Sequence, residues 1–185
     1  TLLFNKNWMA PADWAAGNQS ISWRASSLED KVGVLWSKEL RAHYGFSLET
    51  GTFLWGPTPS QYYLDAWEGT SLINHRIAYG KLYASGVAGI LYCYDVKTGK
   101  LLWTYEARDP YTAILWANTW WMRPLFITDG KIYVGHYEHS GNQPLPRGAP
   151  FICLNATTGE VIWRVDGLFR QTRWGGRAII GDSII

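Results

Sequence analysis

Hydrophobic and polar positions in this chain alternate in short bursts, with no helical period, and the bursts recur. Short apolar runs such as Ile90-Leu91-Tyr92-Cys93-Tyr94 and Leu101-Leu102-Trp103 are separated by polar turns rich in Gly, Asp, Asn, Ser and Thr. That pattern predicts β-strands joined by tight turns. Strand positions follow near 32–38, 42–48 and 52–56, again near 73–79, 81–86, 90–96 and 100–106, and once more across 123–165. Ile21-Ser22-Trp23-Arg24-Ala25 supplies a strand ahead of the first set.

The turns repeat more closely than the strands do. Asp95-Val96-Lys97-Thr98-Gly99-Lys100-Leu101-Leu102-Trp103 has two partial copies, Asn155 to Gly159 and Trp163, and Ser47 to Gly51 and Trp55. Each copy keeps a Thr-Gly pair (Thr50, Thr98, Thr158) and places Trp four residues after the Gly. The Gly suits a positive φ, and the Ser, Asp or Asn four residues earlier can accept hydrogen bonds from turn amides. A second motif precedes each copy, at Tyr79-Gly80-Lys81-Leu82-Tyr83 and Asp129-Gly130-Lys131-Ile132-Tyr133, with looser matches around Gly33 and Gly181. Glycines at 33, 80, 130 and 181 lie 47, 50 and 51 residues apart, a period that fits a four-stranded unit.

Gly-Lys-Leu-Tyr followed by Asp-Val-Lys-Thr-Gly-Lys-Leu-Leu-Trp resembles the repeat of the pyrroloquinoline-quinone (PQQ)-like β-propellers. The resemblance covers residues 31–185. It implies an all-β fold, a β-propeller of four-stranded antiparallel blades, in which the motif Gly and Trp residues dock neighbouring blades. Four to eight blades close a ring, and 185 residues supply three to four at about 50 each. An incomplete ring is therefore expected: residues 1–57 as the N-terminal segment and blade 1, 58–106 as blade 2, 107–165 as blade 3 and 166–185 as the start of blade 4. The chain then reads as a piece of a longer propeller, or as part of a ring completed by self-association.

Composition narrows the partners. A net charge of +2 is too small to argue for nucleic acid, and no run of about 20 apolar residues is present for membrane insertion. Cys93 and Cys153 hold equivalent third-strand positions in successive blades, too far apart for a disulfide, and read as two buried thiols. The paired adjacent cysteines of quinoprotein alcohol dehydrogenases are absent from this stretch. His136, Glu138 and His139 form a weak metal-type cluster, whereas His43 and His75 read as isolated. Asn18 and Asn155 open glycosylation sequons.

Candidate chemistry gathers in the connections between blades. These hold Tyr62, Tyr63, Asp65 and Trp67, then Tyr111, Trp116, Trp120, Trp121 and Arg123, then Phe169, Arg170, Arg173 and Trp174. Trp67, Trp120, Trp121, Arg123, Arg173 and Trp174 form the candidate ligand face, a platform for a planar or sugar ligand; the plainer reading is that these aromatics seal the loops against the blades. Blade 3 also carries a longer loop, with Gly130 to Gly159 spanning 29 residues where Gly80 to Gly99 spans 19. Two functions follow. One is a non-catalytic scaffold or binding module for a protein or glycan, requiring no cofactor. The other, which the resemblance allows, is part of a dehydrogenase dependent on PQQ and calcium. The resemblance also implies an extracellular or periplasmic setting.

Overall fold

The computed structural model describes residues 2–11, 17, 19–62, 74–86, 88–108, 121–137, 149–169, 179–180 and 183–184. In chain order the strands are β1 (Ile21–Ser27), β2 (Val32–Ser37), β3 (Ala42–Ser47), β4 (Phe53–Trp55), β5 (His75–Ala78), β6 (Lys81–Ser85), β7 (Ile90–Asp95), β8 (Leu101–Glu106), β9 (Trp121–Thr128), β10 (Lys131–Tyr137), β11 (Ala149–Asn155), β12 (Val161–Phe169), β13 (Ile179–Ile180) and β14 (Ser183–Ile184). The fold is all-β. Three four-stranded antiparallel sheets run β1-β2-β3-β4, β5-β6-β7-β8 and β9-β10-β11-β12, each in sequence order, and β13 pairs with β14. Short turns dictate this meander, because each strand can reach only its neighbour in the chain.

Two compact units divide the chain, Thr1–Tyr83 with Cys93–Leu102, and Ala84–Tyr92 with Trp103–Ile185. In the first, the core comprises Val32, Val34, Trp36, Tyr44, Leu82, Tyr83, Cys93, Tyr94 and Val96. In the second, Leu91, Met122, Leu125, Ile132, Val134, Ile152, Cys153 and Leu154 are buried. The first and third sheets are built alike. A register shift in β1 leaves Arg24 as the extra residue opposite β2, and one in β9 does the same to Leu125 beside Pro124. Proline and a bulge belong on such an outer strand, where a missing N–H disrupts no ladder.

The turn between the first two strands of each sheet needs left-handed backbone. Tyr79 and Gly80 have φ of 53° and 67°, and Asp129 and Gly130 have 50° and 64°. In the first sheet the equivalent residue is Lys31, with φ 60°, and not Gly33. Its carbonyl accepts from Leu48 N at 2.9 Å as Gly80 O accepts from Val96 N (3.0 Å) and Gly130 O from Ala156 N (2.8 Å). Gly33 lies two residues on, inside β2, where the Trp23 ring fills the space a side chain would need.

Candidate functional site

The Thr-Gly turn is the best-defined site. Asp95 Oδ1 accepts from Lys97 N (3.0 Å), Thr98 N (2.8 Å) and Thr98 Oγ1 (2.8 Å), and Asn155 Oδ1 accepts from Thr157 N (2.8 Å) and Thr158 N (3.1 Å). Ser47 Oγ does the same for Glu49 N and Thr50 N, at 3.2 Å each. In each turn the Gly amide returns to the carbonyl four residues earlier, at 2.9 Å for Gly51, Gly99 and Gly159. Their φ values of 68°, 70° and 77° belong to the region an L side chain enters at a cost.

Each turn then receives an aromatic ring. A Cβ on Gly99 would fall 2.4 Å from Trp55 Cε3, and one on Gly159 would fall 2.6 Å from Trp103 Cε3. Trp55 is flanked on its other side by Gly45, its ladder partner in β3, whose Cβ would come within 2.1 Å of the ring. The Trp55 Nε1–H donates to Val96 O at 2.9 Å, so the turn supplies both a flat seat and an acceptor. Trp163 stands opposite Cys153 and meets the rings of Tyr133 and Phe151 at centroid distances of 6.1 and 5.6 Å.

Register shifts precede two of these tryptophans. Phe46 pairs with Phe53 and Gly45 with Trp55, leaving Leu54 as the extra residue; Ile162 is the extra residue between Val161 and Trp163. The bulge breaks the alternation, so two consecutive apolar side chains face outward before the Trp turns in.

A buried polar cluster lies in the first unit. The Nε2 atoms of His43 on β3 and His75 on β5 are 2.9 Å apart, so one ring donates and the other accepts. Trp36 packs on His43 at 4.5 Å and Tyr94 meets it edge-on at 5.4 Å. Asn74 and Arg24 are buried too. Burial pulls the His43 imidazole well below its ordinary value, with the neighbouring His75 and Arg24 adding to it. Burial, then Arg24 and Arg76, brings His75 down to about 3. These two histidines are paired rather than isolated. Nothing local in the sequence signals it, because 32 residues separate them and the strands of different sheets bring them together.

In the second unit His136 is buried, donates from Nδ1 to Pro150 O at 2.9 Å and is brought down to about 3 by burial. Glu138 and His139 lie outside the described residues, as does the 139–148 loop. Of the aromatic face, Trp67, Trp120, Arg173 and Trp174 also lie outside them, together with Asp65. Trp121 opens β9, and Arg123 sits within β9 as a fully buried side chain opposite Gly135, which leaves room on that face of the ladder. Both cysteines are free and buried, and burial pushes the Cys93 thiol up to about 12 and raises Cys153. Neither is a nucleophile near neutral pH. Among the described residues no group of three His, Cys, Asp or Glu side chains converges on a metal position, and no helix is long and apolar enough to cross a membrane.

Repeated meander sheets with a Trp seated on a Thr-Gly turn define a β-propeller repeat protein. Its family is the one whose model is described as "Outer membrane protein assembly factor BamB", a PQQ-like repeat family, which matches residues 34–168, and the chain belongs to it. The chain is 35% identical over 107 residues to lupanine 17-hydroxylase (cytochrome c) of a Pseudomonas species, covering 55% of this chain and 14% of that protein. It is 24% identical over 166 residues to the dehydrogenase subunit of the quinone alcohol dehydrogenase of Gluconobacter oxydans (strain 621H), covering 89% of this chain and 18% of that one. The chain thus spans under a fifth of either curated relative. A europium-containing methanol dehydrogenase superimposes with a TM-score of 0.50 at 19% identity, over 78% of this chain and 25% of that one, a likeness of fold.

Proposed function

We propose that this chain is part of a non-catalytic PQQ-like propeller that acts as a binding module for a protein or a glycan in an extracellular or periplasmic setting. The observation carrying this reading is that the repeat signature is spent on packing. Trp55 fills the gap between Gly45 and Gly99, and its one polar atom is committed to Val96 O at 2.9 Å. A rigid frame of this kind leaves recognition to its connections and strand ends, and the candidate ligand residues are Trp67, Trp120, Arg173 and Trp174 together with Trp121 and Arg123 at the start of β9. The family description names an assembly factor, and a role in protein association is carried over from it.

The quinone alcohol dehydrogenase among the curated relatives favours the second reading that the repeat resemblance allows, a segment of a dehydrogenase dependent on PQQ and calcium. Arg24 and Arg123 are buried cationic groups of a kind that suits an anionic quinone. Calcium asks for six to eight oxygen ligands, the described residues bring no three His, Cys, Asp or Glu side chains together, and no chemical step is assigned. Calorimetric titration with PQQ in the presence of calcium, beside a glycan panel, separates the two readings. Saturable heat from a glycan and none from the quinone, on a cooperatively folded chain, is the expected result; saturable quinone binding that requires calcium would overturn the binding-module reading.

A further inference from the structure

β4, β8 and β12 each stand at the end of their sheet, paired on one side only among the described residues. An end strand presents a row of open N–H and C=O groups that another strand can complete. The three differ in length, with three residues in β4, six in β8 and nine in β12. β12 holds no proline and no lysine, two residues that guard such an edge. Its apolar side chains are open as well, with Val161, Ile162 and Val165 being 48%, 47% and 43% exposed.

The order of residues along β12 is self-complementary. Arg164 and Asp166 are exposed and lie on one face of the strand, where Arg164 Nε donates to Asp166 Oδ1 at 2.7 Å. Val165 stands between them. When a second β12 runs antiparallel with Val165 opposite its own copy, Arg164 meets Asp166 of the second copy and Asp166 meets its Arg164. Directly opposed residues have Cβ atoms about 5 Å apart, within reach of an ion pair. Gly167 then falls opposite Trp163. β3 and β4 already use that combination, since Gly45 is the ladder partner of Trp55 and clears its ring.

Other registers fail on charge. Centring the pairing one residue to either side sets Arg164 against Arg164 or Asp166 against Asp166, and parallel pairing in register does both. The end strands of the other sheets lack the arrangement: β4 carries no charged residue and β8 carries Glu106 alone.

We propose that β12 is the interface at which two copies of this chain associate, antiparallel about a twofold axis at Val165, with the backbone ladder continued across the axis. The contact is isologous, so it closes at two copies. Exposed ion pairs add little affinity; the ladder and the covered Val165 hold the dimer, and the opposed charges set its register. The ladder from β12 to β11 is regular from Trp163 to Val165 and shifts on either side, which keeps the new pairing short and the dimer reversible. The inference uses β12 alone and stands whether the connections bind a glycan, a protein or a quinone.

Sedimentation equilibrium of the purified chain over a range of concentrations tests it. The parent chain should follow an equilibrium between monomer and dimer. Arg164→Asp and Asp166→Arg each bring like charges together and should raise the dissociation constant at least tenfold. Mixed in equal amounts, the two variants should recover association, because each supplies the charges that the other lacks. A parent chain that stays monomeric up to its solubility limit would overturn the proposal. So would single variants that dimerise as tightly as the parent, or a mixture that associates no better than its parts. Should either variant fail to melt cooperatively, Val165→Lys decides. It sets two cations face to face on the axis and should abolish the dimer; undiminished association contradicts the proposal.

Discussion

Gly80 and Gly99 have nearly the same backbone, with φ of 67° and 70°, and very different surroundings. The nearest atom to a Cβ on Gly80 is Asp30 Oδ1 at 3.8 Å, whereas a Cβ on Gly99 would overlap the Trp55 ring. Gly80→Ala should therefore cost the conformational strain alone, about 1 to 2 kcal/mol, and Gly99→Ala should add the unseating of a ring. The same comparison can be made between Gly130, with nothing within 4 Å, and Gly159 beneath Trp103. Titration belongs at this scale too. His43, His75 and His136 are buried as neutral rings, their folded-state values lie below the ordinary 6.5 of an exposed His, and burial is the first cause in each. The unfolded chain therefore binds more protons than the folded one in acid. Stability from His75 and His136 is complete above about pH 6.5 and is lost as pH falls toward 3, by up to about 1.4 kcal/mol per pH unit for each, and His43 acts in the same direction. Denaturant midpoints between pH 7 and pH 4 should fall steadily, and a flat profile would contradict the burial of all three.

At the level of the element, the turn carries its own control. Asp95 and Asn155 hold the same position and both accept from the amides two and three residues on, so Asp95→Asn should be nearly neutral. Asp95→Ala removes the acceptor for two amides and one hydroxyl and should cost about 1 to 2 kcal/mol; chemical denaturation of the two variants side by side measures it. These turns were legible because Gly with a fixed partner at each end leaves a spacing in the sequence. No glycine marks the first turn of the first sheet. Lys31 takes the left-handed conformation without the residue that advertises it, and nearby Gly33 answers a packing demand from Trp23. The bulges at Leu54 and Ile162 were hidden for a related reason, since a two-residue alternation gives no sign of where a register slips.

For the whole molecule, the repeat period carried the fold and the family, because the same residues recur in the same roles, Trp55 on Gly99 and Trp103 on Gly159. The candidate site was far less legible. Arg123 reads as a loop residue by its neighbours Trp120 and Trp121 but is buried in β9, and the pairing of His43 with His75 joins positions whose proximity depends on two sheets meeting. Recognition residues obey no period, so a repeat signature says where the frame is and little about what it holds.

The central claim is that a tryptophan from one sheet is seated on the Thr-Gly turn of the next. A double-mutant cycle on Trp55→Ala and Gly99→Ala, read by equilibrium denaturation, tests it most directly. Trp55→Ala should cost roughly 3 to 5 kcal/mol, Gly99→Ala should cost its left-handed strain plus the unseating of the ring, and the double should cost less than their sum, since either change alone empties the seat. Additive costs, or a Gly99→Ala no more destabilising than Gly80→Ala, would mean that the ring and the turn do not depend on each other.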